Sequence, residues 1–177
     1  MNLTQHRVQV VRAEVADRAT LVRLLQLYLY DFSAFAKADE PCGDVGEDGS
    51  FAYDHFESYW SNDRREPLLL RSDCQLVGFA LINDWSASGC AVGYCMAEFF
   101  VLRKYRRAGI GASAAHEIIA QRPGVWEVPV AHYNKPALSF WRSVTASTPG
   151  QAIEEVAGDG IRWSGMILRI VPNLTPL

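Results

Sequence analysis

Residues 98–111 read EFFVLRKYRRAGIG. An apolar run that suits a buried strand meets four cations, Arg103, Lys104, Arg106 and Arg107, and then two glycines one residue apart. The continuation, GIGASAAHEIIAQR, has small residues on its early turns and stops at Pro123-Gly124, so it reads as a helix. The start of a helix carries up to four backbone N–H groups without intrahelical partners, and a partial positive charge. Glycine, lacking Cβ, lets anion oxygens approach that backbone closely. A strand feeding a cationic turn and then a helix is therefore a cradle for phosphate, and a polyphosphate cofactor is its natural guest.

Outward from this stretch the chain reads as one α/β unit. RVQVVRAEV alternates like a strand, and Asp17 then stands where it could cap a helix with Leu21, Leu24, Leu25 and Tyr28 on its apolar face. ADEPCGDVGEDGS, residues 38–50, is a loop by its Gly, Pro and Asp content, and FAYDHFESYW suits a short helix. PLLLRS, QLVGFALIND and YCMAEFFVL are strand candidates, and VWEVPVAH is another after the glycine-led helix. NKPALSFWRSV reads as a helix, and IRWSGMILRIV as a closing strand. Pro129 lies mid-strand in VWEVPV and cannot donate to a ladder, so it suits an edge, a bulge, or a place where the neighbouring strand has peeled away.

Composition narrows the classes. The 177 residues are 49% hydrophobic and 21% charged, ordinary for a globular chain, with a net charge of −3. That acidic balance argues against a nucleic-acid partner and makes the basic knot a local feature. The N-terminus lacks the apolar core of a signal peptide, and no run approaches the roughly 18 apolar residues of a membrane span. A cytoplasmic protein with no membrane partner is expected. The four cysteines form no CxxC pair, and Cys90 and Cys95 have no histidine nearby, so no metal is expected.

Gly109, Gly111 and Ala114 formally fit the dinucleotide pattern GxGxxA. Six residues separate Leu102 from Gly109, however, and the next strand ends in Ala131-His132 rather than an acid. A Walker loop fails, because no Gly-Lys-Ser/Thr follows. Arg106-Arg107-Ala108-Gly109-Ile110-Gly111 instead resembles the Arg/Gln-x-x-Gly-x-Gly/Ala acyl-CoA signature of the GNAT superfamily of N-acetyltransferases. Downstream, Asn134-x-x-Ala137-x-x-Phe140-Trp141 is similar to that family's Asn-x-x-Ala-x-x-Phe-Tyr segment, and LVGFALI to its third strand. The resemblance covers residues 67–142 well and the N-terminal quarter loosely.

The resemblance implies a single domain over residues 1–177. It would have an acceptor-side segment at about 15–65, an acetyl-CoA-binding core at about 67–142 and C-terminal strands at about 150–171. Its sheet would be mixed, mostly antiparallel, of about seven strands, splayed between the fourth and fifth and flanked by about four helices. The pantetheine arm of acetyl-CoA would lie in the splay and pair with the fourth strand. On that carry-over Phe100, Val101 and Leu102 face pantetheine, Arg106 belongs to the signature, and Arg107, Ala108, Gly109, Ile110 and Gly111 cup the pyrophosphate. Asn134 caps its helix, contacts the cofactor, or both.

The partners implied are acetyl-CoA and an amine acceptor, a small molecule or peptide, and a homodimer is compatible. An ammonium near pKa ~10.4 must lose a proton before attack. Glu98, in the otherwise apolar AEFFVL, is the leading base, with His132 or a water as alternatives. The Val101 N–H would steady the oxyanion. Where many relatives carry a tyrosine as general acid this chain has Trp141, so Tyr133 or Tyr105 would substitute, or the thiolate leaves unaided. SVTAST replaces the usual Gly-Phe after that helix and leaves the dimer geometry open. His116 is expected on the surface. Between residues 38 and 60 lie Asp39, Glu40, Asp44, Glu47, Asp48, Asp54 and Glu57 without one Lys or Arg, and then Phe51, Tyr53, Phe56, Tyr59 and Trp60. These suit either a cationic acceptor or a solvated acidic loop before a core helix. A non-catalytic CoA-binding regulatory module on the same fold is the alternative to an enzyme.

Overall fold

The computed structural model describes residues 8–35 and 43–173. Seven strands form one sheet in the order β1-β2-β3-β4-β5-β7-β6. They are β1 (Val8–Arg12), β2 (Glu66–Ser72), β3 (Gln75–Asn83), β4 (Tyr94–Val101), β5 (Trp126–Ala131), β6 (Gln151–Ala157) and β7 (Gly165–Pro172). All neighbours are antiparallel except β4 and β5. Three α-helices accompany them among the described residues, α1 (Arg18–Ser33), α2 (Ile110–Ala120) and α3 (Lys135–Ala146), one fewer than expected. None is long and apolar enough to cross a membrane.

Period-2 alternation divides the core into two faces. Leu68, Leu70, Ala80 and Ile82 point to the side covered by α2 and α3, with Ile110, Ala114, Ile118, Trp141 and Val144. Leu69, Phe79 and Leu81 point to the side covered by α1 through Leu21, Leu24 and Leu25. The stretch expected as a short helix contributes Phe56 and Tyr59 to that second core but coils only once, as a 3-10 turn at Glu57–Tyr59. The cause lies upstream. The Gln26 side chain holds the Phe51 backbone by two hydrogen bonds (2.7 and 3.0 Å), and Tyr53 is drawn toward β4, leaving too few residues for a helix. Asp17 precedes α1 as expected but does not cap it. A 3-10 turn at Val15–Asp17 makes its own backbone helical already, so its carboxylate accepts from the Glu14 N–H (3.0 Å) instead.

The parallel pair β4–β5 is brief. Its register holds only Tyr94↔Trp126 and Cys95↔Glu127, and there the Tyr94 and Trp126 rings stack 5.0 Å apart. Beyond it the strands diverge, while β5 continues along β7 from Trp126↔Ile170 to Ala131↔Gly165. Pro129 falls in this divergent part. The Val125 carbonyl accepts from Tyr94 on the β4 side, so by alternation the Pro129 nitrogen also faces β4, where no partner remains to need a donor. Glu127 is fully buried at the seam and accepts from Arg169 of β7 (2.9 Å), the Ala87 N–H (2.7 Å), the Ser88 N–H (3.2 Å) and the Ser88 hydroxyl. It thereby ties the β3–β4 loop to the base of the divergence. Glu127→Ala strips Arg169 and two N–H groups of their acceptor, and should cost about 3 kcal/mol or more, read as a lower urea midpoint.

Candidate active site

The β3–β4 ladder slips at one place. Leu81 pairs with Glu98 and Ile82 with Met96, so Ala97 is an extra residue on β4. Such a bulge bends and twists its strand and breaks the alternation of side chains. Met96, Phe99 and Val101 face α2 and α3, whereas Ala97, Phe100 and Leu102 face α1. Glu98 joins the α1 side directly after Ala97, where it meets two phenols. Tyr53 donates to its Oε1 at 3.0 Å, and the Tyr28 phenol of α1 lies close enough to act on the carboxyl as well. Burial pushes the Glu98 carboxyl up to about 7, against the two tyrosine hydrogen bonds, which act to lower it. Burial, and then the Glu98 charge, push both the Tyr28 and Tyr53 phenols up from their ordinary value.

The backbone of β4 presents its free edge to the gap. Leu102 donates to the Val77 carbonyl of β3 (2.9 Å), so by alternation the peptide groups of Phe99 and Val101 point the other way, where β5 has diverged. Of Phe100, Val101 and Leu102, it is Val101 whose N–H and carbonyl turn to that edge. After Val101 a 3-10 turn (Arg103–Tyr105) leads through Arg107, at φ +64°, and Gly109, at φ +78°, into α2. A left-handed backbone at Gly109 is easy without Cβ. The first intrahelical bond of α2 runs from Ser113 N–H to the Gly109 carbonyl, and no side chain caps the helix. The N–H groups of Gly109, Ile110, Gly111 and Ala112 are therefore left by the helix for another acceptor. Gly111 has a second task, since a Cβ there would meet the Phe140 ring at 3.4 Å and Val101 at 3.6 Å. Its smallness seats α2 against α3 and β4.

The four cations divide. Arg103 and Arg106 both bind Asp31 of α1, while Lys104 lies 5.4 Å over the Tyr105 ring and Arg107 is exposed. Asn134 caps α3, its side chain accepting from the Ala137 N–H (3.1 Å). Of the two tyrosines considered as acids, Tyr105 packs on the α2 face, away from Glu98. Tyr133 lies on the Glu98 side, with its ring 5.8 Å from Phe32 and 6.0 Å from Phe35 of the α1 end, and close enough to Tyr28 to influence its phenol. His132 is exposed beside Tyr133. His116, expected on the surface, is half-buried. Its Nε2 sits 3.0 Å from the Val144 carbonyl and 3.1 Å from the Ser147 hydroxyl, because α3 packs across that face of α2. Trp141 is buried against Phe99.

The acidic stretch is partly spent. Asp48 binds Ser50, Glu57 pairs with Arg18, and Asp44, Glu47 and Asp54 are exposed. Asp39 and Glu40 lie outside the described residues. Phe56 and Tyr59 are core, so of the expected aromatic wall Tyr53 is the member that reaches Glu98. Sequence reasoning missed Tyr28 and Asp31 as site residues, and placed Tyr53 in the acceptor wall without its contact to Glu98. The usable signal was a phenol on the otherwise aliphatic face of α1, and an acid at the end of the same helix.

Residues 28–144 match the sequence profile described as the Acetyltransferase (GNAT) family. An acetyltransferase from Thermus thermophilus has a similar fold, with TM-score 0.62 at 15% identity, over 95% of this chain and 99% of that one. A GNAT family acetyltransferase from Streptococcus agalactiae gives 0.62 at 11% identity, over 93% and 94%. One from Elizabethkingia anophelis, whose structure has acetyl-CoA bound, gives 0.55 at 13% identity, over 93% and 97%. No curated protein sequence matches the chain.

A carboxyl whose folded pKa is raised stabilises the fold while protonated, and that contribution is lost as pH climbs through the folded value. Wild-type protein should therefore lose stability relative to Glu98→Gln between about pH 4.3 and 7, by at most about 4 kcal/mol. Melting temperatures of the pair measured from pH 4 to 9 check the sign. A constant difference would mean that Glu98 does not titrate in this window.

Proposed function

The chain belongs to the acetyltransferase (GNAT) family, and from that premise we propose that it moves an acetyl group from acetyl-CoA to a primary amine. The observation that carries the reading is Glu98, a carboxyl raised to about 7 and held by two phenols beside the free edge of β4. Acetyl-CoA is the acyl donor. Its pyrophosphate would rest on the amides of 107–111 beside Lys104 and Arg107, and its pantetheine would pair with β4 at Val101 in the gap before β5, near Phe100, Leu102 and Asn134. The fit is supported by the uncapped N–H groups at the start of α2 and by the absence of a paired strand at that edge.

In this reading Glu98 takes a proton from the acceptor ammonium, directly or through a water, and the free amine nitrogen attacks the thioester carbon. The carbonyl π bond opens to an oxyanion, which the Val101 N–H steadies. As the carbonyl re-forms the C–S bond breaks, and the sulfur leaves as thiolate. Tyr133 would supply its proton, and solvent can serve as well, because a thiol near pKa ~8.5 is a tolerable leaving group. The products are an amide and free CoA. A base near 7 is matched to this work at neutral pH, being half ionised yet still a useful proton acceptor.

The acceptor in this reading is a cationic amine, drawn by the exposed Asp44, Glu47 and Asp54 in the segment that delivers Tyr53 to the site. Glu98→Gln should bind acetyl-CoA nearly as the wild type does, yet release CoA about 10²-fold more slowly, with partial recovery as pH rises and free amine becomes abundant. Wild-type turnover in that variant at pH 7 would move the base to His132 or a water. Binding without turnover in the unaltered protein would favour a CoA-sensing module. Asp54→Lys should raise the KM of a diamine acceptor and weaken its dependence on salt. An unchanged KM would make the acidic stretch a mere surface.

A further inference from the structure

One helix holds both halves of the site. Asp31 lies in the last turn of α1, with only 18% of its side chain exposed. Its Oδ1 accepts from Arg103 through Nε (2.9 Å) and a terminal nitrogen (2.7 Å), and its Oδ2 accepts from Arg106 (2.5 Å). Arg106 reaches further. Its Nε donates to the Val101 carbonyl at 2.6 Å, on the open edge of β4, and its guanidinium lies 5.3 Å over the Phe100 ring. One turn earlier on α1, three residues away and so on the same face, is Tyr28, whose ring packs 5.8 Å from Phe100 of β4 and whose phenol acts on Glu98. An isolated surface ion pair contributes little. Here one recessed carboxylate closes a network of three charge-assisted bonds, and that network ends on the strand that carries the base. Burial raises the Asp31 carboxyl and the arginine hydrogen bonds outweigh it, so its pKa lies below the ordinary value and it is ionised at neutral pH.

We propose that Asp31 is a positioning residue for acetyl transfer: it clamps the 103–109 turn to α1, so that the acetyl-CoA seat and the tyrosine that orients Glu98 move as one body. The proposal rests on the reading of that turn as the acetyl-CoA site and of Glu98 as the base. It divides the basic knot by task, with Arg103 and Arg106 holding the turn while Lys104 and Arg107 meet phosphate. The titratable groups facing Glu98 are Tyr28 from α1, Tyr53 and Tyr59 from the 43–60 segment, and Cys95 from β4, with Arg65 beyond Tyr59. Tyr28 alone among them sits on α1. Releasing the end of α1 therefore removes one of the two hydrogen bonds that lower Glu98, and its titration moves upward from about 7.

The test compares Asp31→Asn, Asp31→Glu and Tyr28→Phe in the full chain. Acetyl-CoA affinity is measured by calorimetry, and the Glu98 carboxyl is titrated by NMR of 13C-glutamate-labelled protein, assigned with Glu98→Gln. Neither readout needs the acceptor. Asp31→Asn should weaken acetyl-CoA binding about tenfold or more and raise the Glu98 titration, and Asp31→Glu should restore much of both. Tyr28→Phe should raise the titration while leaving affinity near the wild type. Should Asp31→Asn fold but misplace α1 grossly, Arg103→Gln, which removes one arm of the clamp, should give the same two changes at smaller size. Loss of affinity with an unmoved Glu98 titration, or no change in either, overturns the clamp while the functional reading stands. Wild-type protein that fails to bind acetyl-CoA at all sinks the functional reading, and the proposal with it.

Discussion

Two residue pairs join β4 to β5, and the rest of the molecule is arranged around how few they are. A parallel pair needs a long crossover, and here α2 supplies it, rising from the turn after β4 and returning the chain at Trp126. The crossover packs against one face of the sheet through Ile110, Ala114 and Ile118. It does not force the strands to stay together beyond their first two residues. The stacked Tyr94 and Trp126 rings and the buried Glu127 secure the seam at one end. Past it, among the described residues, no strand pairs with that edge of β4. An unpaired edge is normally a liability, prone to recruit another strand. In this protein it lies inside the sheet, between β3 and the diverging β5.

The bulge at Ala97 converts that geometry into chemistry. Run on unbroken from Met96, alternation would send Glu98, and Phe100 and Leu102 with it, toward α2 and α3, into a core of isoleucine, valine and tryptophan. With the bulge, the carboxyl arrives on the α1 side, where two phenols are already fixed by helix packing and by the Gln26–Phe51 clasp. Its raised pKa follows from burial, which outweighs the two phenols that act to lower it. The same packing explains why the site needs three remote segments, residues 28–31, 53 and 98–111, that a linear reading keeps apart.

Local patterns made much of this legible. The apolar run, cations and glycines at 98–111 announced a strand, a turn and a helix, and all three lie there. Pro129 left an edge, a bulge or a peeled-away neighbour open, and the pairing of β4 with β5 has ended where it lies. What stayed hidden depends on pairing across the chain. The bulge arises from the register of β4 against β3, which no single strand encodes. Asp31 meets Arg103 across 72 residues, so nothing local distinguishes it from a solvated acid. Residues 51–60 look helical by spacing, yet tertiary contacts with Gln26 and Glu98 outweigh that preference. His116 looked like a surface residue because the packing of α3 on α2 is equally invisible in the sequence.

Cys95 gives the seam a reporter of its own. It occupies the last paired position of β4, is 1% exposed, and burial holds its thiol far above the usual range, followed by the charges of Glu127 and Glu98. Burial shields it from alkylating reagents, whereas Cys74 and Cys90 stand in solvent. An opening that parts β4 from β5 would expose the thiol. Its rate of chemical trapping is therefore a clock for breathing of the cleft, already installed in the native sequence.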